Sequence, residues 1–182
     1  MVPEKIQRII CTGNACDQAS YNYLKAVCPD IDIVLGDYDE YYLEASSNKN
    51  DNKVFSDSAR SPKISTSYPN SKVIEIEEFK IGIIHGHQLV PGNGDVDTLV
   101  SVARHMGVDV LCSGNTHRFE AYEEDNRFFV NPGSATGAYS AYEHCPIPSF
   151  VLMDLKENNI TAYVYQLVDG EVKIDSFEYS KQ

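Results

Sequence analysis

The chain has 182 residues, and its 27 acidic residues against 15 lysines and arginines give a formal net charge of −12. This acidity excludes a protein that binds nucleic acid phosphates or an anionic lipid surface directly, because both tasks need an excess of basic residues. The hydrophobic content of 42% is typical of a folded globular protein. The length predicts a single domain that spans residues 1–182.

The sequence gives no signal for secretion or membrane insertion. Its beginning lacks a basic stretch followed by an apolar one, and no apolar run approaches the ~20 residues of a membrane helix. The five cysteines form an odd set without a Cys-x-x-Cys pair, so we expect reduced thiols. These features predict a cytoplasmic protein.

The first part of the chain predicts a strand–helix–strand unit. A short apolar strand over residues 8–11 is followed by a helix that Asp17 caps and that ends near Cys28. A second strand is expected over residues 31–35. This order of elements predicts a right-handed connection between two parallel strands.

Residues 44–72 differ in composition from their surroundings, with eight serines, four asparagines and few apolar residues. Such a segment cannot form a hydrophobic core. It is either a disordered polar insertion, which the composition favours, or a loop that binds a partner or is phosphorylated.

Beyond this segment the sequence predicts further strands and one amphipathic helix. Asp95 caps the helix and Gly107 ends it. Asp169-Gly170 between two alternating segments is a strong signal for a β-hairpin. We therefore expect an α/β first part followed by an antiparallel meander, with strands over residues 73–76, 81–85, 108–112, 127–130, 148–155, 160–168 and 172–179.

Four of the predicted strands are followed by a turn that combines glycine with residues of the types that bind metal ions. Each such turn is ordinary on its own, and a lone histidine after a strand is usually a core residue. Their joint position at strand ends favours a metal site, because ligands in open α/β sheets gather outside the carboxyl ends of the strands. The four turns are Gly13-Asn14, Gly36-Asp37, His85-Gly86-His87 and Gly114-Asn115-Thr116-His117.

This order of motifs resembles that of the calcineurin-like metallophosphoesterases, and the resemblance covers nearly the whole chain outside the polar segment. It implies an α/β protein with a four-layer α/β/β/α sandwich. The family's first strand carries Asp-x-His, and this sequence begins downstream of that motif. The resemblance therefore implies a fold that lacks its first strand and helix.

Two further departures concern the chemistry of the site. Tyr38 occupies the position of the family's general-acid histidine, and Asn115 replaces a histidine ligand. A tyrosine, with a pKa near 10, is a poor acid for a leaving group at neutral pH. We therefore expect no catalysis; the alternative is a metal-dependent phosphoesterase acting on phosphoproteins or small phosphate esters.

Of the family's metal-ligand positions, the resemblance leaves four that still carry a residue able to bind a metal ion. Two divalent ions repel each other, and a single carboxylate with neutral donors does not offset that repulsion. We expect that no cofactor is required and that at most one divalent ion, Zn or Mn, binds weakly. The expected ligands are Asn14, Asp37, His85 and His117.

The predicted hairpin around Asp169-Gly170 is apolar on both faces. Period-two alternation places Tyr163, Tyr165, Leu167, Val172 and Ile174 on one face, opposite a second apolar set. Either both faces are buried, or the first is an exposed recognition patch. The opposite face carries Ile160, Ala162, Val164, Phe177 and Tyr179.

The resemblance is strongest to family members that act as scaffolds in endosomal protein sorting. It implies that the rim at Leu89 and Val90 contacts the end of a large α-solenoid subunit, which holds the protein peripherally on endosomal membranes. Here the sequence Pro91-Gly92-Asn93-Gly94 lacks the tryptophan usual in that loop. It also implies that regulators of small GTPases dock on Leu152, Tyr163, Tyr165, Val172 and Ile174.

Overall fold

The computed structural model describes residues 6–39 and 68–181. Within these ranges the chain forms ten strands and two helices. In chain order they are β1 (Ile9–Cys11), α1 (Gln18–Val27), β2 (Ile31–Ile33), β3 (Ser71–Ile76), β4 (Phe79–Ile84), α2 (Val96–Met106), β5 (Val110–Cys112), β6 (Phe119–Glu124), β7 (Arg127–Pro132), β8 (Ser149–Lys156), β9 (Asn159–Val168) and β10 (Glu171–Ser180).

The described strands form three sheets. β1 and β2 pair in parallel, as the strand–helix–strand pattern predicts. The largest sheet has the order β3-β4-β5-β7-β6, with parallel pairs at its centre and antiparallel pairs at both edges. The third sheet is the meander β10-β9-β8, and the predicted hairpin between β9 and β10 is confirmed.

Both helices begin and end where local sequence signals predict. Asp17 accepts a hydrogen bond from the backbone N–H of Ser20 at 2.7 Å, and Asp95 accepts one from that of Thr98 at 3.0 Å. These contacts satisfy N–H groups that have no partner within the helix. Gly107 ends α2 with a φ of 65°, a left-handed conformation that favours glycine.

The core lies on both faces of the five-stranded sheet. On one face, α2 packs through Leu99, Val100 and Ala103 against Leu111 and Phe129. On the other face, Ile81, Ile83 and Val110 pack with Ile160 and Ala162 of β9. Ile10 and Val34, in and beside the β1–β2 pair, join the same cluster. The ends of β1, β2 and β4 are therefore fixed by packing.

A buried carboxylate ties the β1–β2 pair to β3. Asp32 is 1% exposed and accepts hydrogen bonds from Arg8 and Lys72, with the Lys72 Nζ 2.5 Å away. Burial favours the neutral acid, but the hydrogen bonds and charges of the two cations outweigh it. They hold the pKa of Asp32 below its usual value.

Some element bounds differ from those predicted. The polar segment over 44–72 lies largely outside the described residues, but its last residues, Ser71 and Lys72, belong to β3. β2 ends at Ile33: the N–H of Val34 still donates to the Cys11 carbonyl, but that of Gly36, the next one directed at β1, donates to the Asp39 carboxylate instead. β6 was not predicted, and it pairs with β7 through a turn at Asp125-Asn126.

Two predictions about the whole chain can be compared with the structure. All five cysteines are free thiols, as predicted. Over residues 6–39 and 68–181, no helix combines the length and the apolar character needed to cross a membrane.

Candidate functional site

Asn14 lies at the centre of a hydrogen-bonded cluster beyond the ends of β1, β2 and β4. Its Nδ2 donates to Asp37 Oδ1 at 2.9 Å and lies 3.2 Å from His85 Nε2. Its Oδ1 accepts a hydrogen bond from the backbone N–H of Tyr38 at 2.9 Å. The strand ends therefore bring three of the four predicted ligands together.

A glycine makes this close approach possible. A Cβ on Gly36 would lie 2.0 Å from Asn14 Oδ1 and 2.4 Å from the Asn14 backbone nitrogen. No side chain fits in that space. The Gly36-Asp37 turn therefore contributes a carboxylate and also the room that the side chain of Asn14 occupies.

His85 is 3% exposed, and both of its ring nitrogens have defined neighbours. Burial lowers the pKa of His85, so the neutral ring is favoured. In the neutral ring, Nδ1–H donates to the Thr12 carbonyl at 2.7 Å, and Nε2 is left as an acceptor. This Nε2 lies 3.1 Å from Asp37 Oδ1. A backbone contact of this kind orients a histidine for metal binding.

The two aspartates of this turn have different surroundings. Asp39 is buried and accepts hydrogen bonds from the backbone N–H groups of Asn14, Cys16 and Gly36, at 2.7, 2.9 and 2.8 Å. Asp37 is exposed towards the cluster. Burial raises its pKa, but the hydrogen bond that Asp37 accepts from Asn14 acts in the opposite direction, and the pKa of Asp37 is lowered. Asp39 therefore holds the turn at Gly36 against the turn at Asn14, while Asp37 offers an ionised carboxylate to a metal ion.

His87 joins this group, although it is not one of the four predicted ligands. One donor atom from each of Asp37, His85 and His87 lies within 4.8 Å of the other two. The buried Nδ1 of His87 has no hydrogen-bond partner among the described residues. The spacing His85-Gly86-His87 was the signal that could have identified it.

The fourth predicted ligand has a different neighbour. His117 Nδ1 is 2.7 Å from the carbonyl oxygen of Ala138, and His117 lies outside the group formed by Asp37, His85 and His87. Its role as a ligand stays a prediction. Asn115, which the resemblance places where a histidine ligand is expected, donates from Nδ2 to the carbonyl of Gly92 at 2.8 Å.

The donor chemistry of the pocket suits one divalent ion. A carboxylate and two imidazoles are ligands that Zn²⁺ accepts, and they leave a coordination position open. The unpartnered Nδ1 of His87 is an observation that fits such an ion. One carboxylate among these donors supplies too little charge for two adjacent divalent ions.

A second candidate site is the outer face of the β9–β10 hairpin. The register matches the prediction, with Leu167 opposite Val172 and Tyr165 opposite Ile174. Leu167, Val172 and Ile174 are 47%, 64% and 54% exposed. The alternative that both faces are buried is therefore wrong. We call this surface the hairpin face, and it comprises the half-buried Leu152, Tyr163 and Tyr165 together with the exposed Leu167, Val172 and Ile174.

The other face of the same hairpin belongs to the core. Ile160, Ala162 and Val164 are at most 1% exposed, and Tyr179 is 3% exposed. On the hairpin face, the Phe150 and Tyr165 rings stack with centroids 4.8 Å apart. Tyr165 of the hairpin face is therefore held in place by the neighbouring strand β8.

Val90 is the most exposed of the large apolar side chains that the structure describes, at 91%. It precedes Pro91 through a cis peptide bond, and the adjacent Leu89 is half-buried. The two predicted partner surfaces, at Val90 and on the hairpin face, are thus both accessible.

Comparison with known proteins gives the same family as the motifs. The calcineurin-like phosphoesterase superfamily domain matches residues 1–158. Vacuolar protein sorting-associated protein 29 of Schizosaccharomyces pombe is 40% identical over 185 residues, covering 100% of this chain and 86% of that protein. The chain belongs to the calcineurin-like phosphoesterase superfamily and, within it, to the Vps29 family.

Two solved structures extend the comparison. Wild-type Vps29 of Entamoeba histolytica, complexed with Zn²⁺, has a TM-score of 0.78 and 35% identity, covering 95% of this chain and 82% of that one. Vps29 of Chaetomium thermophilum, complexed with a RaPID-derived cyclic peptide, has a TM-score of 0.74 and 34% identity, covering 99% and 83%. The metallophosphoesterase fold class predicted from the sequence is confirmed.

Proposed function

We propose that this chain is a non-catalytic scaffold subunit of the retromer complex in protein transport from endosomes to the Golgi and the plasma membrane. The observation that carries this proposal is the exposed hairpin face. An apolar surface with aromatic residues, rigidly held on a sheet, is typical of a protein-binding site. The cyclic peptide complex of the Chaetomium relative supports peptide binding within the family.

The proposal assigns one partner to each exposed apolar surface. The hairpin face binds GTPase-activating regulators of small GTPases. Leu89 and Val90 contact the α-solenoid subunit, vacuolar protein sorting subunit 35. The protein is then cytoplasmic and reaches endosomal membranes through the complex, without inserting into the bilayer itself.

The proposed absence of catalysis depends on two side chains. Tyr38 is 67% exposed and takes the place of the general acid, and Asn115 bonds a loop carbonyl instead of acting as a ligand. The pocket binds at most one divalent ion, Zn or Mn, weakly. The ligands are Asn14, Asp37 and His85, joined by His87, which the fold brings beside them, with His117 as a further predicted ligand. The zinc complex of the Entamoeba relative supports this assignment.

Binding of the solenoid subunit tests the first surface. Val90→Asp places a charge where an apolar contact forms, so we expect at least a tenfold loss of affinity by isothermal titration calorimetry. Val96→Asp is the matched control, because Val96 is also an exposed valine. Unchanged affinity of the Val90 variant would contradict the assignment of the contact.

The hairpin face is tested with the cyclic peptide crystallised with the Chaetomium protein. Ile174→Asp should weaken peptide binding at least tenfold. Lys173→Asp should not, because alternation places Lys173 on the opposite side of β10. Equal loss in both variants, or in neither, would show that the peptide does not use this face.

Hydrolysis of p-nitrophenyl phosphate with added Mn²⁺ separates the scaffold from the alternative enzyme. The proposal expects no turnover above that of Mn²⁺ alone. Turnover that disappears in His117→Ala would instead support a phosphoesterase acting on phosphoproteins or small phosphate esters.

A further inference from the structure

Asn115 connects two loops next to the metal pocket. Its Nδ2 donates to the carbonyl of Gly92 at 2.8 Å, and its own carbonyl accepts from Ser140 Oγ at 3.5 Å. The first contact reaches the loop over residues 86–94, which we call the Val90 loop. The second reaches the loop over residues 138–147. The side chain and backbone of one residue thus link both loops.

The local geometry suits asparagine at this position. Asn115 has a φ of 69°, and asparagine tolerates this left-handed conformation better than most residues. A Cβ on Gly92 would lie 3.2 Å from Tyr142 Oη and 3.5 Å from Asn115 Nδ2. Gly92 therefore lies close to both neighbours, with little room for a side chain.

Both ends of the segment that carries Val90 are held by hydrogen bonds. The N–H of Leu89 donates to the Gly86 carbonyl at 3.1 Å, and Asn115 holds the Gly92 carbonyl at the other end. Val90 lies between them, 91% exposed. A loop that is already ordered loses less conformational entropy when it binds a partner.

We propose that Asn115 is a positioning residue that holds the Val90 loop in its binding conformation. This rests on the proposed contact between Val90 and the solenoid subunit. At a position where the resemblance implies a metal ligand, this chain has a side chain that donates to the loop instead. Asn115, which replaces a histidine ligand in the resemblance, thereby orders the Val90 loop for binding the solenoid subunit.

Asn115→Asp tests the proposal most directly. Aspartate has nearly the same shape and also tolerates a left-handed φ, but its carboxylate offers no donor to the Gly92 carbonyl. We expect five- to tenfold weaker binding of the solenoid subunit by calorimetry, since one net hydrogen bond corresponds to roughly this factor. Asn93→Asp is the control, because it adds the same charge to the same loop at an exposed residue.

Amide hydrogen exchange distinguishes a local role from a general one. In Asn115→Asp, exchange should become faster at Leu89 and residues 92–94 while β5 stays unchanged. Wild-type affinity and exchange would overturn the proposal, and so would faster exchange in β5 as well. If Val90→Asp still weakens binding in those cases, the proposed function stands. If neither variant weakens binding, the proposed function fails too.

Discussion

Replacing Gly36 with alanine tests whether the pocket depends on the close approach of Asn14. The added Cβ would lie 2.0 Å from Asn14 Oδ1 and 2.4 Å from its backbone nitrogen, where ordinary contacts begin near 3.4 Å. The φ of Gly36 lies outside the left-handed region, so the substitution adds a steric contact without backbone strain.

The two turns must separate by about 1 Å to accept this methyl group. Overpacking of this kind costs about 1–3 kcal/mol, and the loss of a hydrogen bond between the turns adds about 1 kcal/mol. We therefore expect Gly36→Ala to lower the free energy of unfolding by about 3 kcal/mol. For a chain of this length that corresponds to a fall in Tm of about 10 °C.

Urea denaturation and thermal melting measure this loss, with Gly107→Ala as the matched control. No atom lies within 4 Å of a Cβ at Gly107, but its φ of 65° is left-handed. That control carries backbone strain alone, about 1–2 kcal/mol. If Gly36→Ala loses no more stability than Gly107→Ala, the close approach of Asn14 does not constrain the turns.

Three further predictions concern buried groups. Asp39→Asn leaves one carboxamide oxygen for three backbone N–H donors, so urea denaturation should show a loss of about 2–4 kcal/mol. Asp32→Asn should cost about 2–3 kcal/mol at neutral pH. The pKa of Asp32 is lowered in the folded protein, so the stability difference between wild type and Asp32→Asn is present above the unfolded pKa of about 3.9 and shrinks as the pH falls below it. A stability difference that stays constant down to about pH 2 would contradict this. Burial raises the pKa of Cys112 to about 12, so mass spectrometry of alkylated native protein should find exposed Cys145 modified first and Cys112 only after unfolding.

Local chemistry explains which parts of the fold were predictable. Asp17, Asp95 and Gly107 act on backbone groups within a few residues of themselves, so their sequence positions fix the helix ends. The turn at Asp169-Gly170 sets the hairpin register, and period-two alternation then fixes which side chains share a face. Which of the two faces is exposed depends on packing against the five-stranded sheet.

The features that were not predicted depend on contacts between distant residues. β6 has polar and half-buried residues, and its pairing partner β7 decides its conformation. The spacing His85-Gly86-His87 could indicate a ligand, but only the fold shows that His87 lies beside Asp37, 50 positions earlier in the chain. The hydrogen bond from Asn115 to Gly92 follows from loop packing, and no local pattern in the sequence specifies it.

The hydrogen bonds of the pocket give the predicted ligands a structural role that needs no metal ion. Thr12 orients His85, Asn14 bridges His85 and Asp37, and Asp39 fixes the turns that carry them. Loss of Asp39 would leave backbone N–H groups unsatisfied, among them that of buried Gly36, and loss of Asn14 would remove a partner of the buried His85 ring; unsatisfied buried groups are costly in a folded protein. These ligand positions would therefore be needed for stability even in a protein that does not hydrolyse phosphate esters. The Val90 loop begins directly after His85 with the turn in which the N–H of Leu89 donates to the Gly86 carbonyl, so an ordered pocket also supports the proposed binding surface.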